Sequence, residues 1–301
     1  MTTINQIQTL VQKKEADATY VLVLSMNNDG SMRVQGNEQP GQAEESMEEA
    51  TGARSAEDYG VEPGTRRGSI LIVSRQNLHL TKKAVASAKA QDIPCDILVV
   101  DNASTDGTPQ WLATKDITTI CLSKQESLSA CWNRGMRAFW GVGKKHCLVA
   151  NNDVEIRRDA YHLLEAHGGD FVTCVSVDRP EQLGKWFDRE DVDLHATERP
   201  HPDHSCFFLR KSVTDRVGFF NESYYPAYGE DSEWHIRCHR AGIRAVCIDV
   251  PFLHHGASTL KHADPAEASI IRRGADANRK RFKAQYGVDI GSPGYYALFG
   301  Q

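Results

Sequence analysis

The residues best suited to chemistry are Asn151-Asn152-Asp153. The apolar run Leu148-Val149-Ala150 enters them and Val154 closes them, the pattern of a strand buried on both faces that ends in polar groups. Open α/β sheets place ligands beyond the C-terminal ends of their strands. Asp153, with Asn151 beside it, there offers hard oxygen ligands suited to Mg²⁺ or Mn²⁺ holding a diphosphate. The plain alternative is an Asn/Asp turn after a strand, so the other strand ends carry the decision. Ser74 follows Ile70-Leu71-Ile72-Val73, and Asp101 follows Ile97-Leu98-Val99-Val100 and opens a polar loop through Thr108. Glu230-Asp231 stand at the start of a helical pattern, where two carboxylates either cap the helix or place a base in the field of its dipole. His254-His255 come shortly after the apolar strand Arg244–Asp249.

The elements that must position these groups alternate at βαβ spacing. Strands are expected at 69–74, 97–100, 117–122 and 147–150, with helices at 80–91 and 128–140, the last in spite of Gly135. That order predicts a doubly wound, mostly parallel α/β sheet. Neither G-x-G-x-x-G nor G-x-x-x-x-G-K-[ST] follows the first strand, which excludes a dinucleotide fingerprint and a P-loop. Strands at 171–175 and 204–209 come next, separated by a polar stretch, 176–203, that reads as a binding loop with Trp186-Phe187 as ring-stacking candidates.

The first 53 residues read as a small appendage: a helix at Thr3–Lys14, a hairpin pairing Thr19–Ser25 with Ser31–Gln35 across Asn27-Asn28-Asp29-Gly30, and an acidic helix at Gln42–Thr51. Residues 54–68 form a linker, and 69–301 the main domain. Between Glu38 and Glu62 eight acidic residues face one basic residue, Arg54, which marks a solvated segment. A lone hairpin is marginal in water, so it is expected to pack on the main domain or to join a second copy as an oligomer contact.

The 301 residues are 40% hydrophobic and 25% charged with a net charge of −5, enough for a globular core and too acidic overall for an extended nucleic-acid surface. There is no eighteen-residue apolar run and no basic start with an apolar core, so no membrane span or signal peptide is expected. Eight cysteines without a C-x-x-C pair read as reduced core residues of a cytoplasmic protein.

Four strings together resemble glycosyltransferase family 2 with its GT-A fold: Ile70–Asn77, Val99–Thr108, Asn133-Arg134-Gly135 and Asn151–Val154. The resemblance covers roughly residues 69–290. It implies a metal-dependent, inverting hexosyl transfer from a nucleoside-diphosphate sugar, UDP-sugar first, to an acceptor hydroxyl. Asp101 matches the aspartate that binds the base. Ser74, Asn77, Ser104, Asp106 and Asn133 fall in the matched donor strings, with Asn151 and Asn152 beside the diphosphate. Asp153 matches the metal carboxylate of the D-x-D motif, with Asn151 replacing the first Asp. Val217-Gly218-Phe219-Phe220-Asn221-Glu222 and Gly229-Glu230-Asp231 resemble the family's acceptor-side motifs, with Asp231 as the base and Glu230 its neighbour. His254, or in second place His255, matches the histidine that completes the Mn²⁺ or Mg²⁺ site. The basic helix Ile270–Tyr286 resembles the closing segment through Asn278, Phe282, Tyr286 and Gly287.

The chemistry agrees with the resemblance: a divalent cation neutralises a departing diphosphate, and a general base contributes about 10²–10⁴-fold. Two other classes stand beside it. A nucleotidyltransferase would show a Gly-rich basic loop where Ser74-Arg75-Gln76-Asn77 stand, and a non-catalytic nucleotide- or sugar-binding module would bind metal without turnover. The acceptor stays open among polysaccharide, lipid-linked sugar, protein, small molecule and a hydroxylated base in DNA.

Overall fold

The structure is a computed structural model. It describes residues 67–182, 202–256, 263 and 265–300, and the strand backbones 7–15, 18–26, 32–37 and 197–198. The expected acidic helix at Gln42–Thr51, the turn at 27–30, most of the linker, and Trp186-Phe187 lie outside the described residues, as do Ser258 and Thr259.

Three strands open the chain: β1 (Ile7–Glu15), β2 (Ala18–Met26) and β3 (Met32–Asn37). They form an antiparallel meander in which Leu24 faces Val34 and Leu10 faces Val23. The hairpin expectation holds for β2 and β3. The helix expected at Thr3–Lys14 is corrected to strand β1. Ile4, Ile7, Leu10 and Val11 carry helix-like spacing, yet pairing along all of β2 offers the backbone a better partner. β1 also pairs with β6 (Thr118–Cys121), so the meander extends the main sheet.

The main sheet is built on β4 (Gly68–Ser74), β5 (Cys95–Asp101), β6 and β7 (His146–Asn151), all parallel. Between them run α1 (Leu78–Lys89), α2 (Thr108–Leu112) and α3 (Leu128–Gly141). Beyond β7 come β8 (Val154–Ile156), α4 (Ala160–His167), β9 (Phe171–Val177), β10 (Thr197–Glu198), β11 (Cys206–Arg210) and α5 (Lys211–Val217). The chain continues through α6 (Glu230–Arg240), β12 (Ala245–His254), α7 (Pro265–Tyr286) and α8 (Pro293–Ala297). The sheet runs β10-β12-β9-β11-β7-β4-β5-β6-β1-β2-β3, with β8 on β12. Antiparallel pairing through β11 and through β1 extends the parallel centre on both sides.

Alternation along the strands sorts two cores. Ile70, Ile72, Val99, Leu148 and Phe208 pack with Ala84, Val85 and Leu164 on the α1/α4 face. Leu71, Val73, Val100, Val149 and Phe207 pack with Trp132, Met136 and Trp234 on the α3/α6 face. Both faces are covered, which is why the central strands read as continuous apolar runs. Gly135 explains itself: a Cβ there would overlap the side chain of Leu71, so α3 lies on β4 only because this position carries none. The eight cysteines are all free, six of them buried.

β12 is longer than the strand expected at Arg244–Asp249. Its register on β9 shifts between Cys247 and Pro251, an irregularity that accommodates a proline with no N–H to donate, and pairing resumes through Leu253. His254 is thus the last residue of a strand, opposite Val154 of β8. No helix among the described residues is long and apolar enough to cross a membrane.

Candidate active site

Strand register does the first positioning. Ser74 faces Asp101 across β4–β5, and Val73 faces Asn151 across β4–β7, so three polar residues end adjacent parallel strands. The chain turns from β4 toward β5 on one side and returns with β7 on the other, the switch point where such sheets bind ligands. Asp101 is fully buried. Its Oδ2 accepts the Ser104 N–H at 3.0 Å, while Oδ1 is buried without a hydrogen bond. Burial raises its pKa above the ordinary carboxylate value, and the Ser104 hydrogen bonds only partly oppose this. Asn77 Nδ2 and Asn151 Oδ1 are also buried without partners. Each such group costs about 1–3 kcal/mol. One donor and two acceptors are thus left unmade at or just beyond the ends of β4, β5 and β7.

The loops around them are strained and pinned. Gln76, Asn77 and Ala103 hold φ of 55°, 57° and 57°, a left-handed region that costs side-chain-bearing residues about 1–3 kcal/mol each. Compensating bonds come from across the crevice. Gln76 N–H donates to Ser104 Oγ at 2.7 Å, Thr105 N–H to Gln76 Oε1 at 2.9 Å, and Leu78 N–H to Asp106 Oδ2 at 2.7 Å. Burial pushes the Asp106 carboxyl upward, but hydrogen bonds from Thr108 and the Leu78 N–H outweigh it and leave the pKa lowered. Arg75, which the sequence reading passed over, joins the assembly. Its guanidinium donates to the carbonyls of Asn102 and Ala103 at 2.9 and 3.0 Å and to Glu267 Oε1 of α7 at 2.5 Å. The available signal was a lone cation inside a polar loop at a strand end.

Several residues expected on the nucleotide make hydrogen bonds inside the protein. Ser74 Oγ lies 2.9 Å from Thr81 Oγ1 in full burial. Asn152 Nδ2 donates to Gln76 O at 2.9 Å and Thr81 Oγ1 at 3.0 Å, tying the end of β7 to the loop after β4. Asn133 is fully buried, donating to Phe220 O at 2.9 Å and Glu222 Oε1 at 2.8 Å and accepting from Phe220 N–H at 3.0 Å. All three side chains thus hold internal hydrogen bonds that brace the strand ends and the loops around them. Ser104 and Asp106 act in the same bracing network. Asp101, Asn77 and Asn151 each keep one buried polar atom without a hydrogen-bond partner.

β8–β12 pairing brings the histidines to Asp153. His255 N–H donates to Asp153 O at 2.9 Å, and His254 Nε2 stands 3.5 Å from Asp153 Oδ2. His255 points instead to Glu155, Nε2 to Oε1 at 2.8 Å. Of the two imidazoles, that of His254 is the one directed at the Asp153 carboxylate. Among the described residues no group of three or more His, Cys, Asp or Glu side chains gathers as a metal cage. A pair composed of one carboxylate and one imidazole suits an ion such as Mn²⁺ that takes its remaining ligands from substrate phosphates and water.

α6 delivers the acidic pair. Tyr228 and Gly229 precede it with φ of 78° and 93°, a sharp entry that starts the helix at Glu230. Asp231 Oδ1 accepts the Ser232 N–H at 2.7 Å, and its other oxygen takes no hydrogen bond among the described residues. Glu230 is 3% exposed with Oε2 unpartnered, and burial followed by the charge of Asp231 raises its pKa well above the ordinary range. Arg237 anchors α6 by holding Glu233 and the carbonyls of Val217 and Phe219. Burial, then the charges of Glu230 and Asp153, raise the Tyr228 phenol, so this ring stands in the field of both acidic groups.

The profile of glycosyl transferase family 2 matches residues 69–261. The chain belongs to this family. A hexosyltransferase of low-salt glycan biosynthesis, Agl10 of Haloferax volcanii, is 26% identical over 188 residues, covering 53% of this chain and 59% of that protein. The chain thus matches little more than half the length of that relative. Among solved structures, S. aureus TarS superposes with a TM-score of 0.50 at 14% identity, over 73% of this chain and 43% of TarS. GalNAc-T7, determined with UDP, GalNAc and Mn²⁺, superposes at 0.51 and 12% identity, over 77% of this chain and 52% of its own. At these identities the likeness is one of fold, and it establishes the GT-A architecture.

Proposed function

We propose that this member of family 2 transfers a hexose from a nucleoside-diphosphate sugar, a UDP-sugar first, to an acceptor hydroxyl with inversion at the anomeric carbon. The observation that carries the reading is the orphaned set Asn77 Nδ2, Asp101 Oδ1 and Asn151 Oδ1 beside the Asp153–His254 pair. Asp101 accepts an N–H of the base and Asn77 donates to a base carbonyl, a pairing that suits uracil. Asp153 and His254 are the residues that would hold a divalent ion. When bound, the ion neutralises the diphosphate as it leaves. Asp231, with one oxygen open, takes the proton of the acceptor hydroxyl as its oxygen attacks the anomeric carbon. The bond from that carbon to the diphosphate oxygen breaks, and the diphosphate keeps the electron pair. Attack from the side opposite the leaving group inverts the centre. Burial and then the charge of Asp231 raise the Glu230 pKa well above the ordinary range, which favours its neutral form beside the base. The GalNAc-T7 structure, with its UDP and Mn²⁺, supports this choice of donor and metal.

The test is release of nucleoside diphosphate from a panel of UDP- and GDP-hexoses with Mn²⁺, water serving as the default acceptor. Asp231→Asn is expected to lower release by about 10²–10⁴-fold while diphosphate binding persists. Equal release from Asp231→Asn would remove it from the role of base.

A further inference from the structure

Four large hydrophobic side chains are strongly exposed among the described residues, and three of them belong to one region. Tyr225 (42%) and Tyr228 (48%) lie on the loop entering α6, and Ile270 (41%) lies on α7. The two elements are locked together. Asn278 donates to the carbonyls of Tyr225 and Ala227 at 3.3 and 2.8 Å, and Arg281 reaches Ser223 O and covers the Tyr224 ring. Gly274 lies so close to Pro226 that a Cβ would overlap it. The edge of α7 running through Ile270, Gly274 and Arg281 therefore borders the loop that carries Tyr228 and leads to Asp231.

α7 is basic, with six cations against two carboxylates in a chain of net charge −5. The cations divide by side. Arg279 pairs with Asp276 and Lys283 with Asp289, on the side turned away from the loop. Arg273 and Lys280 are seven residues apart, hence on one side of the helix, each directly before a residue that touches the loop. Both are exposed, and neither makes an ion pair among the described residues. Two cations without an ion pair among the described residues thus lie on a helix locked to the loop of two exposed tyrosines, and Tyr228, with a φ of 78°, stands in the field of Glu230 and Asp153.

We infer that Tyr225, Tyr228 and Ile270, with Arg273 and Lys280, form the acceptor platform, and that the acceptor is an anionic saccharide whose rings stack on the tyrosines while its phosphates or carboxylates pair with the two cations. This rests on the transferase reading of the site. Tyrosine faces suit sugar rings, and exposed guanidinium and ammonium groups suit acid substituents. The acidic balance of the whole chain favours a saccharide over an extended nucleic acid, which would need a wider basic footprint.

The test measures binding and Mn²⁺-dependent transfer from UDP- and GDP-hexoses with four probes: phosphorylated dextran, carboxylated oligogalacturonate, unmodified dextran and an oligodeoxythymidylate. The anionic saccharides are expected to bind at least 10-fold more tightly than unmodified dextran and to weaken as salt rises. Arg273→Gln with Lys280→Gln should remove that advantage and raise acceptor KM at least 10-fold with kcat little changed. Arg272→Gln with Arg279→Gln removes equal charge from the other side of α7 and should not. Tyr228→Ala should weaken charged and neutral saccharides alike, and thermal melting confirms that each variant folds. Equal binding of neutral and anionic dextran, equal losses in the two charge pairs, absence of binding to every probe, or preference for the oligonucleotide would each overturn the inference. Nucleoside diphosphate titration of the unaltered protein separates this from failure of the donor site, because that binding requires no acceptor.

Discussion

Replacing Asp101 with Asn tests the donor site with a change of one atom. Asp101 Oδ2 already accepts the Ser104 N–H, so an amide at this position must turn its oxygen to Ser104 and its NH₂ toward the crevice. The atom that replaces Oδ1 then presents hydrogens to the N–H of the base, and an acceptor becomes a donor. A hydrogen bond to a charged group contributes about 1.5–3 kcal/mol, and its loss weakens binding by about 10- to 150-fold. The fold should not suffer. Asp101 is fully buried and its pKa is raised, so burial already disfavours its charge, and a neutral amide removes that cost. The expected outcome by calorimetry is UDP binding weakened 10-fold or more, together with an unchanged or higher melting temperature at neutral pH. Wild-type affinity should also climb as pH rises through the Asp101 pKa, because the base N–H favours the ionised carboxylate, and Asp101→Asn should flatten that rise. Unchanged affinity in Asp101→Asn would refute the assignment of this carboxylate to the base.

Two further changes probe the scaffold and the acidic pair. Gly135→Ala forces a Cβ into Leu71 at the α3–β4 contact and should cost about 1–3 kcal/mol by overpacking, read as a fall in urea midpoint at unchanged slope. Glu230 has a folded-state pKa raised above its ordinary 4.5, so its protonated form is favoured and stability is lost as pH rises from there through the folded value. Glu230→Gln lacks that loss. Its melting temperature should exceed wild type by a margin that grows with pH over the same window, and a margin constant with pH would contradict the buried, protonated carboxyl.

The sheet centre was legible because burial on both faces leaves a plain mark. Ile70–Val73, Ile97–Val100 and Leu148–Ala150 admit no polar residue until the strand ends, so Ser74, Asp101 and Asn151 announce the crevice. What escaped depends on partners distant in sequence. The hydrogen bonds of Asn133 to Phe220 and Glu222, 87 and 89 positions away, leave no mark in the local sequence. Arg75 gains its place from the carbonyls of Asn102 and Ala103 and from Glu267, 192 positions on. β1 carries the spacing of a helix and becomes a strand because β2 lies beside it. Spacing left both histidines open and put His254 first, and the β8–β12 register places the His254 imidazole 3.5 Å from the Asp153 carboxylate.

The central claim is a metal-dependent nucleoside diphosphate site held by Asp153 and His254. Calorimetric titration with UDP and GDP, with and without Mn²⁺, on wild type and on Asp153→Ala, His254→Ala and His255→Ala tests it most directly. The expected result is binding of one diphosphate that requires Mn²⁺, is lost in Asp153→Ala, weakens about 10-fold or more in His254→Ala, and persists in His255→Ala. Binding that ignores Mn²⁺ and survives Asp153→Ala, or no binding of either diphosphate, would contradict it.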